Sequence, residues 1–228
     1  MEHFSTIQKA LSGVLKTVTV LCALLGTFLS AYAGRNSFMG GRTVFMYFTI
    51  QSNIVIALIC AAGLSKLLRG NAVSDLWYII KFVGTVSITL TGAVFCFVLA
   101  PTLGEAAWNP QNILTHVIVP AAAVLDFFVT GISGNIKKRN TFWVIVPPVL
   151  YVIYAGIGYV KGWQFAAGYN YPYFFLNWGS PAGAFGFTDE LPYMGCAWWI
   201  LFLFCALLLV GYLYLVIADV LKKRLRHE

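Results

Sequence analysis

Tyr47-Phe48-Thr49-Ile50-Gln51-Ser52-Asn53 is a polar island inside an apolar segment that runs from about Thr43 to Leu68. A run that long and that apolar has the length of a membrane span, where polar side chains are costly enough to need a partner or a task. At about 100° per residue, Arg42, Phe45, Met46, Thr49, Ser52, Asn53, Ile56 and Cys60 fall on one helical face, and Gln51 points nearly the other way. Thr49, Ser52 and Asn53 therefore form one surface.

The rest of the chain agrees with a membrane reading. Its 228 residues are 60% hydrophobic and 10% charged, against roughly 25% charged in an ordinary soluble domain. Apolar runs predict six spans, at about 14–33, 43–68, 76–100, 112–130, 142–160 and 194–219. The expected fold is an all-α six-helix transmembrane bundle, a single membrane domain over 1–228. The net charge of +7 does not point to nucleic acid, because the basic residues are sorted by loop. With six spans, Lys9, Lys16, Lys66, Arg69, Lys81, Lys137, Lys138, Arg139, Lys222, Lys223, Arg224 and Arg226 fall on the side of the termini. Only Arg35, Arg42 and Lys161 fall on the other. The positive-inside rule then makes both termini cytoplasmic, in a bacterial inner membrane or a eukaryotic endomembrane. The tail Lys222–Arg226 reads as a topology anchor, with contact to anionic headgroups as the alternative. Ala31-Tyr32-Ala33 after the first apolar run resembles a signal-peptide cleavage site, but the run is long for a signal core, which favours an uncleaved first helix.

Cys22, Cys60, Cys96, Cys196 and Cys205 all lie in apolar spans without a CxxC pair, as buried small hydrophobes do. The first ten residues, with Phe4 and Ile7 among polar neighbours, weakly suggest a short interfacial helix. In span one, Gly26, Thr27, Ser30 and Ala33 permit close helix contact. Thr85, Ser87, Thr89 and Thr91 in span three are expected to bond back to their own helix. Lys81, early in span three, and Asp126, late in span four, match in depth, so an ion pair between them would relieve both burial costs; the alternative is that Lys81 snorkels to the headgroups. Pro147-Pro148 predicts a kinked span five. The long link Gly162–Tyr193 carries eleven aromatic residues that either rest at the interface or fold inward as a lid.

His116, the one histidine away from the chain ends, lies near the start of span four, followed by Pro120, which removes one helical hydrogen bond. Spans two and four run in the same direction. Thr49 lies about 9 Å along its span and His116 about 6 Å along its own, so the two share a depth. A threonine hydroxyl needs a base to become a nucleophile, and neutral imidazole is the usual one. Asn112, one turn before His116, is the preferred orienting group, with Glu105 as second choice; Ser52 and Asn53 are candidate donors to an oxyanion. Asp126 lies about 15 Å deeper than His116, too far to orient it. Taken singly, each residue has a bland reading: a threonine back-bonded to its helix, an asparagine joining helices, a histidine satisfied near the interface. One usable histidine without nearby carboxylates or cysteines does not make a tetrahedral metal site.

These same residues carry a resemblance. Tyr47-Phe48-Thr49-Ile50-Gln51-Ser52-Asn53, Thr115-His116 followed by Pro120 and Asp126, and Tyr171-Pro172-Tyr173 resemble bacterial six-span relatives of the androgen-induced and androgen-dependent TFPI-regulating proteins. The resemblance implies a membrane threonine hydrolase acting on fatty acid esters of hydroxy fatty acids, with the nucleophile at Thr49 and the histidine at His116. It implies a lipid ester substrate and no dissociable cofactor; no nucleic-acid or protein partner is indicated. The alternative function is a lipid or small-molecule binding protein, or a proton-linked carrier, in which His116 titrates and Thr49, Ser52 and Asn53 hold cargo.

Overall fold

Six helices of the computed structural model are long and apolar enough to cross a membrane. The structure describes residues 4–33, 40–130 and 136–224; Arg35 and Arg226, used in the charge count, lie outside them. The helices are α1 (Thr6–Ala33), α2 (Phe48–Leu68), α3 (Asp75–Ala107), α4 (Pro110–Thr130), α5 (Lys138–Val160) and α6 (Cys196–Arg224). Among the described residues, β-structure is limited to two isolated bridges. With six consecutive spans, the start of α1 and the end of α6 fall at one end of this up-and-down bundle, and the opposite end is called distal below.

Local chemistry sets several boundaries that apolar runs misplace. Ser5 and Gln8 form a reciprocal capping box: Ser5 Oγ accepts from the Gln8 N–H at 3.1 Å and Gln8 Oε1 from the Ser5 N–H at 2.9 Å. The first helix therefore starts at Thr6 and absorbs the expected interfacial segment. Ser74 caps α3 by accepting from the Trp77 N–H, and Asn109 caps α4 from its side chain with Pro110 at the first helical position. Pro147-Pro148 does not kink the middle of a helix. Lys138–Ile145 is 3-10, and the prolines open the α-helical part, Val146–Val160, where a missing N–H is harmless.

The first four helices pack together around Ala23, Ile56, Cys60, Ile88, Val119 and Ala123. Helices α5 and α6 close against α3 and α4 through Phe82, Phe127, Val144, Leu207 and Leu215. Leu21, Phe28, Leu58, Phe97, Leu150 and Leu209 point outward, as side chains facing lipid do. All five cysteines are free thiols, and Cys205 is exposed on the bundle exterior rather than buried.

Near the end opposite the distal one, Asp126 is fully buried between two lysines. Lys81 Nζ lies 2.8 Å from Oδ2, as the matched depths predict, which rules out snorkelling. Lys16, assigned from the sequence only to the charge bias, lies 2.6 Å from Oδ1. Ser12 donates to the same carboxylate and Thr130 accepts from Lys81 at 2.6 Å. The cluster ties α1, α3 and α4 together with polar bonds in a region where lipid supplies no alternative partner.

Candidate functional site

At the distal end the chain enters α2 abruptly. Gly41–Met46 is a 3-10 turn, Tyr47 is extended at φ −90° and ψ 140°, and the α-helix begins at Phe48. Thr49 is thus in the first turn of α2 and not a turn and a half inside a span. Its backbone N–H has no helical partner, and the positive end of the helix dipole lies on it.

His116 reaches the same place from α4 through a local change of helical register. Leu114–Ile118 forms a π-helical turn in which the Val119 N–H bonds to the Leu114 carbonyl, five residues back. In that register residue 120 would serve the Thr115 carbonyl, but Pro120 has no N–H to give. Asn53 supplies it instead: its amide nitrogen donates to Thr115 O at 3.0 Å and to Thr49 O at 2.8 Å. Asn53 therefore joins the backbone that carries the hydroxyl to the backbone that carries the imidazole. Both amide hydrogens are engaged in this way, so Asn53 is not an oxyanion donor. Ser52 is not one either, since its hydroxyl lies 3.0 Å from Thr49 O and 2.7 Å from Thr91 Oγ1.

The result is a direct contact, with Thr49 Oγ1 at 3.2 Å from His116 Nε2. The other ring nitrogen, Nδ1, lies 3.1 Å from the Asn112 carbonyl and 3.0 Å from Thr115 Oγ1. A carbonyl only accepts, and the Thr115 hydroxyl already donates to Gln111 O at 2.8 Å. Hydrogen-bond logic therefore puts the imidazole proton on Nδ1 and turns the Nε2 lone pair toward Thr49. Asn112 is the orienting residue, as the spacing suggests, but through its main chain; its side-chain amide donates to Ala107 O at 2.9 Å. Glu105 is exposed in the 3-10 turn Gly104–Ala107. Lys81 and Asp126 belong to the ion cluster at the other end of the bundle, and Gln51 turns away to donate to Phe45 O at 3.0 Å.

Packing fixes the imidazole plane. Phe95 stacks on it with ring centres 4.0 Å apart and 20° between planes, from a second π-helical turn at Phe95–Leu99. Helix α3 comes this close because residue 92 is glycine: a Cβ there would sit 2.8 Å from the His116 carbonyl oxygen. Gly26 of α1 plays the corresponding part on the other side, where a Cβ would lie 2.6 Å from Thr115 Cγ2.

The long distal link divides between its two expected fates. In its first half Phe165 and Phe175 are buried and Tyr173 lies over Thr49, although Trp163 and Tyr169 stay exposed, as do Phe185 and Phe187 further on. The Thr49 N–H donates to Tyr173 Oη at 3.4 Å, and Thr49 Oγ1 lies 3.5 Å from the same oxygen. Burial of the phenol holds its pKa above the ordinary tyrosine value, so it remains a proton donor. Tyr173 was legible only as part of the resemblance motif, because no helical period places a loop residue. Behind these groups lies a chamber of about 750 Å³ lined by Tyr47, Thr49, His116, Asn112, Tyr169 and Tyr173, among others.

Fold and site together define an integral membrane helix bundle with a threonine–histidine pair at its distal end. The chain matches no family model, no curated protein and no solved structure.

Proposed function

We propose that the chain is an intramembrane threonine hydrolase that cleaves lipid esters, with Thr49 as nucleophile and His116 as general base. The observation that carries this reading is the Thr49 Oγ1–His116 Nε2 contact of 3.2 Å, with Nδ1 held by a main-chain carbonyl. His116 takes the hydroxyl proton as Thr49 attacks the ester carbonyl, and the same imidazole returns it to the departing alkoxide. Water activated by His116 then releases the acid from the acyl-threonine. Tyr173 and the first-turn dipole of α2 face the charge that develops on the carbonyl oxygen. The resemblance noted above points to the same chemistry and to fatty acid esters of hydroxy fatty acids as substrates. The sorting of the basic residues supports cytoplasmic termini, and with them a position for the pair near the outer leaflet of a bacterial inner membrane, or the corresponding leaflet of a eukaryotic endomembrane.

Labelling with a fluorophosphonate probe tests the assignment. Wild-type protein reacts, and both Thr49→Ala and His116→Ala lose the label. Persistent labelling of Thr49→Ala overturns the nucleophile, and cargo movement into vesicles without ester turnover would identify a carrier instead.

A further inference from the structure

Thr49 stands in a partition between two cavities of different character. On one side is the chamber of about 750 Å³, which contains His116 and several amide and hydroxyl groups. On the other is a slot of about 60 Å³ between α3, α5 and α6, walled by Leu90, Val94, Val152, Leu176, Ile200 and Leu203. Thr49, Leu99 and Tyr173 line both cavities, and His116 lines only the chamber. The hydroxyls of the other polar residues at the slot are engaged: Thr91 with Ser52 at 2.7 Å, and Tyr151 with the Met46 carbonyl at 3.1 Å. An alkyl chain entering the slot therefore leaves no buried polar group newly unpaired.

The chemistry gives this partition a direction. When Thr49 Oγ bonds to the carbonyl carbon, its proton passes to His116 Nε2. The bond from that carbon to the alkoxy oxygen then breaks with its electron pair on the oxygen, which takes the proton back from Nε2. The alkoxy oxygen must therefore lie on the His116 side, in the chamber, and the acyl substituent extends from the carbonyl carbon to the opposite side. We propose that the slot between α3, α5 and α6 is the acyl-chain subsite and the chamber is the alcohol subsite. This assignment rests on the hydrolase reading. It makes the substrate class an ester of a narrow, unbranched acyl chain with a bulkier, partly polar alcohol. It also orders the second half-reaction, because the alcohol vacates the space beside His116. Water entering there gives a proton to Nε2 as it attacks the acyl-threonine, and the proton returns to Thr49 Oγ as the acid departs.

The test uses the full chain in detergent micelles with nitrophenyl esters whose acyl groups run from acetyl to dodecanoyl. Leu203→Trp narrows the slot and Leu203→Ala widens it; Ala106 lines the chamber, and Ala106→Phe narrows it. The expected result is that Leu203→Trp lowers the dodecanoyl-to-acetyl ratio of kcat/KM by about tenfold or more, and Leu203→Ala shifts the optimum to longer chains. Ala106→Phe leaves that ratio in place and discriminates against bulky alcohols. A chain-length profile that ignores both Leu203 variants, or that moves with Ala106→Phe, overturns the subsite assignment alone. Wild-type protein without Thr49-dependent turnover of any of these esters overturns the hydrolase reading itself.

Discussion

Asn53 and Pro120 are coupled through one carbonyl, which makes a sharp test of how the site is held. Asn53→Leu keeps the side-chain volume and deletes the donor to Thr115 O, at 3.0 Å, and to Thr49 O, at 2.8 Å. Thr49 O retains Ser52 Oγ at 3.0 Å, so the loss falls on Thr115 O, beside a residue that has no N–H. An orphaned buried carbonyl costs about 1–3 kcal/mol, which for a chain of this size lowers the melting temperature by roughly 2–12 °C. Because this carbonyl belongs to the turn that carries His116, the rate of fluorophosphonate labelling falls as well; a displacement near 1 Å is worth up to about a hundredfold. Pro120→Ala restores an N–H in the π-helical register and should change little in wild-type protein, where Thr115 O is already satisfied. In the Asn53→Leu background it should recover about 1 kcal/mol or more of the loss and part of the labelling rate. Thermal unfolding of the four proteins in detergent, followed by tryptophan fluorescence, measures the coupling. Strictly additive effects would falsify the shared-carbonyl argument, and an Asn53→Leu protein that labels at the wild-type rate would reduce Asn53 to a helix clip.

Three further outcomes rest on the ion cluster and on Tyr173. Asp126→Asn leaves Lys16 and Lys81 buried without a counter-charge, and removing one partner from a buried pair costs about 3–5 kcal/mol. Lys16→Met leaves the Lys81–Asp126 pair neutral and should cost clearly less; the reverse order in melting temperature or membrane yield would contradict the triad. Tyr173→Phe removes the phenol beside Thr49 and should lower ester turnover by about 10²-fold, the scale of one lost oxyanion donor, with little change in unfolding temperature. Tyr173 must be protonated to donate, and its pKa is raised. Wild-type turnover should therefore show no alkaline loss due to Tyr173 up to about pH 10. A loss below that pH, present in wild type and absent in Tyr173→Phe, would count against the assignment.

What the sequence could reveal depended on whether the signal was local. Helical phase is local, so Thr49, Ser52 and Asn53 emerge on one face, and matched depth brings Thr49 to His116 and Lys81 to Asp126. The spacing also finds Asn112, but not that its carbonyl does the orienting, because side-chain chemistry says nothing about which main-chain groups are free. Ser52 and Asn53 look like oxyanion donors until the Pro120 gap and the two π-helical turns are seen, and neither turn has a sequence period of its own. Lys16 was hidden because a lysine in a first span fits a topology rule equally well. Its position four residues after Ser12, at the depth of Asp126, was the available clue. Tyr173 depended on the path of a long link, which only tertiary packing decides.

The spacing of the site along the chain has a consequence for biosynthesis. Thr49 and His116 are 67 residues apart, whereas Thr49 and Tyr173 are 124 apart. A chain made from its N-terminus delivers the first four helices before the link that covers them, and domains assemble in that order. The Thr49 hydroxyl and the His116 imidazole are therefore in the membrane while the slot still lacks two of its three helical walls and Thr49 lacks the Tyr173 phenol. On the hydrolase reading, translation itself withholds activity until α6 is inserted, so a chain stalled after α4 would carry the threonine–histidine pair without its enclosure.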